Sequence, residues 1–273
     1  MIAHPAASAE RLPHTRESLA ADLAALGVRP GSTLLVHASM RAVGYVAGGT
    51  QAVVLALRDA LGPAGTLVVP THTPDNSDPA EWQNPPVPPG WWAVIREHAP
   101  GFDPAVTPSR WMGAIAEQVR TWPGARRSDH PHVSFAALGR CADEVVRDHP
   151  RSGMLGPDSP LGRVYALDGD VLLLGVGHDS NTSLHLAEYR QPAPPAARHG
   201  AAVRRADGGR EWVWWDDLDL HEEDFDRLGA DFEVTGAVRT GRVGGAHSRL
   251  MRQRDAVDFA ETWIAAHRRQ PRD

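Results

Sequence analysis

An α/β fold built on a central mixed β-sheet, with helices on both faces, is predicted by three features of the chain. Two apolar runs, Thr33-Leu34-Leu35-Val36-His37 and Thr66-Leu67-Val68-Val69-Pro70, read as buried strands, and a helical pattern from Thr50 to about Leu61 joins them. Strand, helix and strand in that order make a parallel βαβ unit. A third apolar run, Val171-Leu172-Leu173-Leu174-Gly175-Val176, enters through Asp168-Gly169-Asp170 and leaves in glycine-rich backbone. Residues 200–240 alternate as antiparallel strands do (Glu211-Trp212-Val213-Trp214), which makes the sheet mixed.

In chain order, Thr15 to Leu26 forms a short helix with Leu19, Leu23 and Leu26 on one face, and Gly27 suits its left-handed end. Pro30-Gly31 turns into the first strand. A loop with Gly44, Gly48 and Gly49 follows, and Thr50 caps the next helix, which Gly62-Pro63 stops. From Pro74 to Pro108 the periodicity breaks down in a Pro- and Trp-rich stretch containing Pro85-Pro86-Val87-Pro88-Pro89 and Trp91-Trp92. Loops this long are usually functional or disordered, and the indoles favour order. It is expected to be a packed excursion over the strand ends, forming one substrate wall. A helix from about Thr182 to Arg190 and a terminal helix from Gln253 to Arg268 complete a single domain over residues 1–273.

Composition narrows the function. A net charge of −6, with His neutral, argues against nucleic acid and suits a cationic partner. All basic side chains are Arg, which reflects base composition more than chemistry. No apolar run is long enough to cross a bilayer, and Met1 to Arg11 lacks a signal-peptide pattern, so a cytoplasmic setting without membrane contact is expected. The single cysteine, Cys141, rules out an internal disulfide, and its acidic neighbours Asp143 and Glu144 make it a poor nucleophile. Fourteen histidines occur without His-Glu-x-x-His spacing, so no metal is expected. A homodimer is compatible with this composition, which leaves the oligomeric state open.

The chemistry-bearing segment is Gly175 to Glu188. A buried strand there runs into a helix, where open α/β sheets place ligands. Asn181 or Thr182 can cap that helix. His185 and Glu188 are three apart, on one face, within hydrogen-bonding reach. A carboxylate on one ring nitrogen fixes the tautomer and leaves the other as a base, and the helix dipole favours the neutral ring. Mutual satisfaction on a polar face is the structural alternative. His37 ends another strand, and the loop Ser39 to Gly49, with Arg41, can hold an acyl carbonyl or a phosphate. It matches neither a P-loop nor a nucleophile elbow.

These residues resemble the aminoglycoside 3-N-acetyltransferases, distinct from the common GNAT fold. The blocks that carry the resemblance run from Leu34-Leu35-Val36-His37-Ala38-Ser39 and Gly65 to Thr71, through Asp78-Pro79-Ala80-Glu81-Trp82, Pro85 to Pro88 and Phe102-Asp103-Pro104. They continue with Arg127 to Pro131, Ser134 to Ala137, Ser159-Pro160-Leu161 and Leu172 to Glu188. The resemblance implies acetyl-CoA as donor and direct transfer to the 3-amino group of a 2-deoxystreptamine aminoglycoside, without an acyl-enzyme. It implies His185 as general base, Glu188 as its support and His37 near the thioester. CoA would contact Ser39, Arg41, Val43, Gly44, Ser109, Met112, Gly113, Ser128, Ser134 and Phe135. Asp75, Asp78, Glu81, Asp179 and Glu188 would hold the cationic acceptor. Two positions depart from the family: Trp111 stands where Gly is usual, and His178 occupies a variable position. Alternatives are acetylation of another amine such as a biosynthetic intermediate, a hydrolase or metal enzyme using His37, His72 and His185, and an antibiotic-sequestering binder.

Overall fold

Uninterrupted apolar runs become the centre of the sheet, because a strand covered on both faces needs no polar alternation. The computed structural model describes residues 12–192 and 194–268; the reading of Met1 to Arg11 lies outside them. Its strands are β1 (Thr33–Ala38), β2 (Thr66–Pro70), β3 (Arg126–Arg127), β4 (Phe135–Gly139), β5 (Asp170–Leu174), β6 (Ala196–Arg204), β7 (Arg210–Leu218), β8 (Arg239–Val243) and β9 (Ala246–Arg252). Seven of them form one mixed sheet in the order β3-β4-β2-β1-β5-β9-β8. Strand β1 lies parallel to both β2 and β5, whereas β4 and β9 run antiparallel at either side.

Side chains alternate across this sheet and divide the core in two. Leu34, Val36, Leu67, Val69, Leu172 and Leu174 pack under helices Arg16–Leu26, Gly49–Leu61 and Gly113–Arg120. Leu35, Val68, Val171 and Leu173 pack on the other face, against Pro160–Ala166, Phe225–Val234 and Gln253–His267. Each fully buried Leu or Val contributes about 1.5–3 kcal/mol. The α/β architecture read from the sequence is therefore the one observed.

Several local expectations need correction. Gly48, not Thr50, caps the helix Gly49–Leu61, and the Thr50 hydroxyl bonds Gln118 instead. The helix expected from Thr182 to Arg190 is a 3-10 turn, Thr182–Leu184, followed by one α-turn, His185–Glu188. So short a helix has little macrodipole, because only a few peptide units align. Residues 200–240 hold the β6–β7 hairpin but also the helix Phe225–Val234. That helix buries Phe225, Leu228 and Phe232, which strand-like alternation elsewhere in the stretch obscures.

The Pro- and Trp-rich excursion is ordered, with a helix at Trp92–His98. It leans on the hairpin: Asn76 exchanges two hydrogen bonds with Ala202, and Phe102 N–H donates to the Ala202 carbonyl.

Candidate active site

The order β2-β1-β5 sets the location. The chain moves from β1 to one side, then to the other, so the crevice at the carboxyl end of β1 is the switch point of the parallel strands. His37 sits on β1 at that edge, His72 follows β2, and the segment from Gly175 to Glu188 follows β5. Gly175 makes the approach work. Its φ is +71°, and a Cβ there would lie 2.3 Å from the Ala42 Cβ.

Two adjoining cavities open at this edge. One, of about 520 Å³, is lined by residues including His37, Ser39, Arg41, Trp111, Met112, Gly113 and Asp179. The other, of about 420 Å³, is lined by residues including Leu155, His185, Leu220, Glu222 and Glu223. His72, Thr182 and Glu222 line both, so the cavities share a wall.

His185 Nδ1 lies 2.6 Å from Glu188 Oε2. A carboxylate only accepts, so Nδ1 carries the proton and Nε2 is left bare as a base. The other oxygen of Glu188 accepts from Arg268 and from the His221 N–H at 3.2 Å. Arg268 also holds Asp224 at 2.5 Å. The dyad is thus a buried relay in which Arg268, His221 and Phe225 fix the carboxylate and the ring, with the His185 and Phe225 ring centroids 4.8 Å apart. His37 is also buried, its Nε2 3.2 Å from the Thr182 hydroxyl. Burial, aided by the nearby His185, pushes its pKa down to about 3, so the ring is neutral.

Among the residues assigned from sequence, His37, Ser39, Arg41, Met112, Gly113, Asp179 and His185 converge on the two cavities. Glu188 stands behind His185 with both oxygens occupied. The others lie elsewhere. Val43 is core. Gly44 ends the short helix Met40–Val43, and Ser109 is bound to Glu117 at 2.7 Å. Ser128 bridges the Phe135 N–H and His149, Ser134 bonds Thr71, and Phe135 is fully buried. Asp75 pairs with Arg110, and Asp78 is clamped by Arg96, while Glu81 remains exposed with its pKa raised by partial burial and by Asp78. No residue of 74–108 lines either cavity, so the excursion supports the hairpin rather than walling these cavities.

His178 lies away from both cavities, buried under helix Phe225–Val234 with Nε2 3.0 Å from Glu233. Gly229 admits it there, since a Cβ would meet the imidazole at 2.0 Å. Trp111 does border the first cavity, 67% exposed and held at φ +62°, a conformation that favours glycine. Sequence reasoning missed Glu222 and Glu223, whose run with Asp219 and Asp224 reads as a solvated turn, and Arg268, some 80 positions from its carboxylate. Cys141 borders neither cavity and begins the helix Ala142–Val146. Among the described residues, no three His, Cys, Asp or Glu side chains are grouped so as to hold a metal ion.

The switch-point crevice and the carboxylate-oriented imidazole make a candidate general-base site on an α/β sheet. The chain belongs to the aminoglycoside 3-N-acetyltransferase family, whose profile matches residues 35–265, and it is an acetyltransferase of that family. It is 43% identical to the SPbeta prophage-derived aminoglycoside N(3′)-acetyltransferase-like protein YokD of Bacillus subtilis, over 92% of this chain and 93% of YokD. The YokD crystal structure superposes with a TM-score of 0.92, covering 94% of this chain and 95% of that one. AAC-IIIb in binary complex with CoASH gives a TM-score of 0.84 at 33% identity, covering 95% and 100% of the two chains. AAC-VIa bound to sisomicin gives 0.82 at 34% identity, covering 93% and 98%.

Proposed function

We propose that this chain transfers the acetyl group of acetyl-CoA to the 3-amino group of 2-deoxystreptamine aminoglycosides, in the cytoplasm, and so confers resistance to them. The observation that carries this reading is the His185–Glu188 contact of 2.6 Å at a cavity that adjoins the one lined by His37, Ser39 and Arg41. The donor occupies the first cavity, where Arg41 makes no ion pair with the described residues and is free for a phosphate. The acceptor occupies the second. Aminoglycoside amines are mostly protonated at neutral pH, and Glu222 and Glu223 supply the acidic wall a polycation needs, with Asp179 in the adjoining cavity. The amine that reacts is the free-base form, and His185 Nε2 takes a proton from its nitrogen as it attacks the thioester. The family and the CoASH and sisomicin complexes of its relatives support both ligands.

A second reading, acetylation of a different amine, is favoured by one observation. Trp111 projects at the border of the first cavity and alters the shape of the entrance. Thiol release from acetyl-CoA across a panel of amines, with the product position fixed by NMR, decides between them. Acetylation at the 3-amino group of 2-deoxystreptamine is the expected result. Turnover confined to other amines would replace the first reading with the second, and tight aminoglycoside binding without thiol release would mark a sequestering protein.

A further inference from the structure

His72, half-buried, stands outside the hydrogen-bond networks that hold the buried histidines. Its carbonyl accepts from the Arg110 N–H at 2.9 Å, which fixes the backbone just beyond β2. Its ring meets Phe135 edge-on, with centroids 5.3 Å apart. His37, His130, His132, His149 and His185 each bond through the ring, whereas the His72 ring bonds no described residue and its Nε2 is buried without a partner. Leaving a buried polar group unpaired costs about 1–3 kcal/mol, so such a group calls for a partner. Burial, reinforced by His37 and His185, pushes the His72 pKa down to about 3. The ring is therefore neutral at neutral pH and carries one N–H donor.

Its position gives that donor a use. His72 is on the wall shared by the His37 cavity and the His185 cavity, where the donor and the acceptor would meet on the reading above. Backbone donors expected from the loop after His37 are partly committed: the Ser39 N–H bonds the Leu174 carbonyl, and the Ala42 and Val43 N–H groups bond the Ser39 carbonyl. We propose that His72 is a further catalytic residue, whose neutral imidazole donates its N–H to the carbonyl oxygen of the acetyl thioester and stabilises the oxyanion formed on it. This assignment rests on the acetyl-transfer reading above.

In the step, the amine nitrogen forms a bond to the carbonyl carbon, and the carbonyl π pair moves onto oxygen, against the His72 N–H. The amine proton passes to His185 Nε2. Collapse of the oxyanion breaks the C–S bond, and the departing thiolate takes that proton from His185, leaving the thiol and the amide. His72 keeps its own proton throughout, and nothing is oxidised or reduced. A neutral donor suits this place, because a second cation beside His185 would oppose proton uptake there.

The test compares wild type, His72→Phe and His72→Gln, with thermal melts to confirm folding. Turnover is measured with the best amine. Affinity is measured for CoA, which has no acyl carbonyl, and for an inert ketone analogue with methylene in place of the thioester sulfur. His72→Phe is expected to lower kcat about 10²-fold with a much smaller change in KM for acetyl-CoA. It should also erase about a fivefold preference for the ketone over CoA, the effect of one neutral hydrogen bond. His72→Gln, which restores an N–H, should recover at least part of both. Near-normal kcat in His72→Phe would overturn the assignment. So would a lower kcat with the ketone preference unchanged and no rescue by Gln, which marks a structural role. A wild-type chain that binds neither CoA nor the ketone fails at the acetyl-transfer reading itself, and this assignment falls with it.

Discussion

At the scale of single residues, the proposed function depends on which nitrogen of an imidazole is committed. Glu188 takes the His185 Nδ1–H, and its second oxygen is taken by Arg268 and the His221 amide, so the carboxylate is held in place on both sides. Glu188→Gln keeps the volume and one acceptor but removes the charge that stabilises the imidazolium. It should lower kcat by about 10-fold or more and lower the thermal midpoint as well, since a single amide oxygen cannot accept from His185, Arg268 and the His221 N–H together. An unchanged kcat would reduce Glu188 to a packing partner. The spacing of three between His185 and Glu188 was legible because neighbours on one helical turn must meet. Glu222 and Arg268 were not legible, since one lines the cavities and the other meets Glu188 from separate parts of the chain, and His72 was read only in the metal-enzyme alternative. Asp78 misled for the converse reason. Its partner Arg96 lies 18 residues on, and an acidic loop residue looks free until that partner is placed.

At the scale of elements, the crevice exists because strands β1 and β5 and the short helix after β1 approach closely. Gly175 is the contact point. Gly175→Ala adds the cost of a left-handed alanine, about 1–2 kcal/mol, to that of overlap with Ala42, about 1–3 kcal/mol. Urea unfolding should show a loss of about 2 kcal/mol or more, together with weaker CoA binding as the Ser39–Val43 turn is displaced. A neutral substitution would mean that the contact is slack. Strands β1, β2 and β5 were legible because burial on both faces writes a continuous apolar run. Strands β4, β8 and β9 were not, since β4 is only five residues long and pairs with the distant β2, while Arg, His, Ser and Gly interrupt β8 and β9.

At the scale of the whole molecule, buried neutral histidines tie stability to pH. Burial holds His132 and His149 at about 4 and His37 and His72 at about 3, and it sets His130 well below its ordinary value. In the unfolded chain these rings titrate near 6.5, so between the two values the unfolded state binds more protons and stability rises with pH. Stability is thus full above about pH 6.5 and falls as the pH drops towards 4. At pH 5 His132 and His149 each cost about 2 kcal/mol, a large part of a typical domain's total. Urea midpoints taken from pH 7.5 to 4.5 should be level at first and then fall steadily below pH 6.5. A flat profile down to pH 5 would show that these rings are solvated.

The central claim is that an imidazole oriented by a buried carboxylate takes the proton from an incoming amine. Turnover of His185→Ala at saturating acetyl-CoA and acceptor, in protein whose melting curve matches wild type, tests it most directly. A fall in kcat of about 10²-fold or more is the predicted result, and kcat within a few fold of wild type would contradict it.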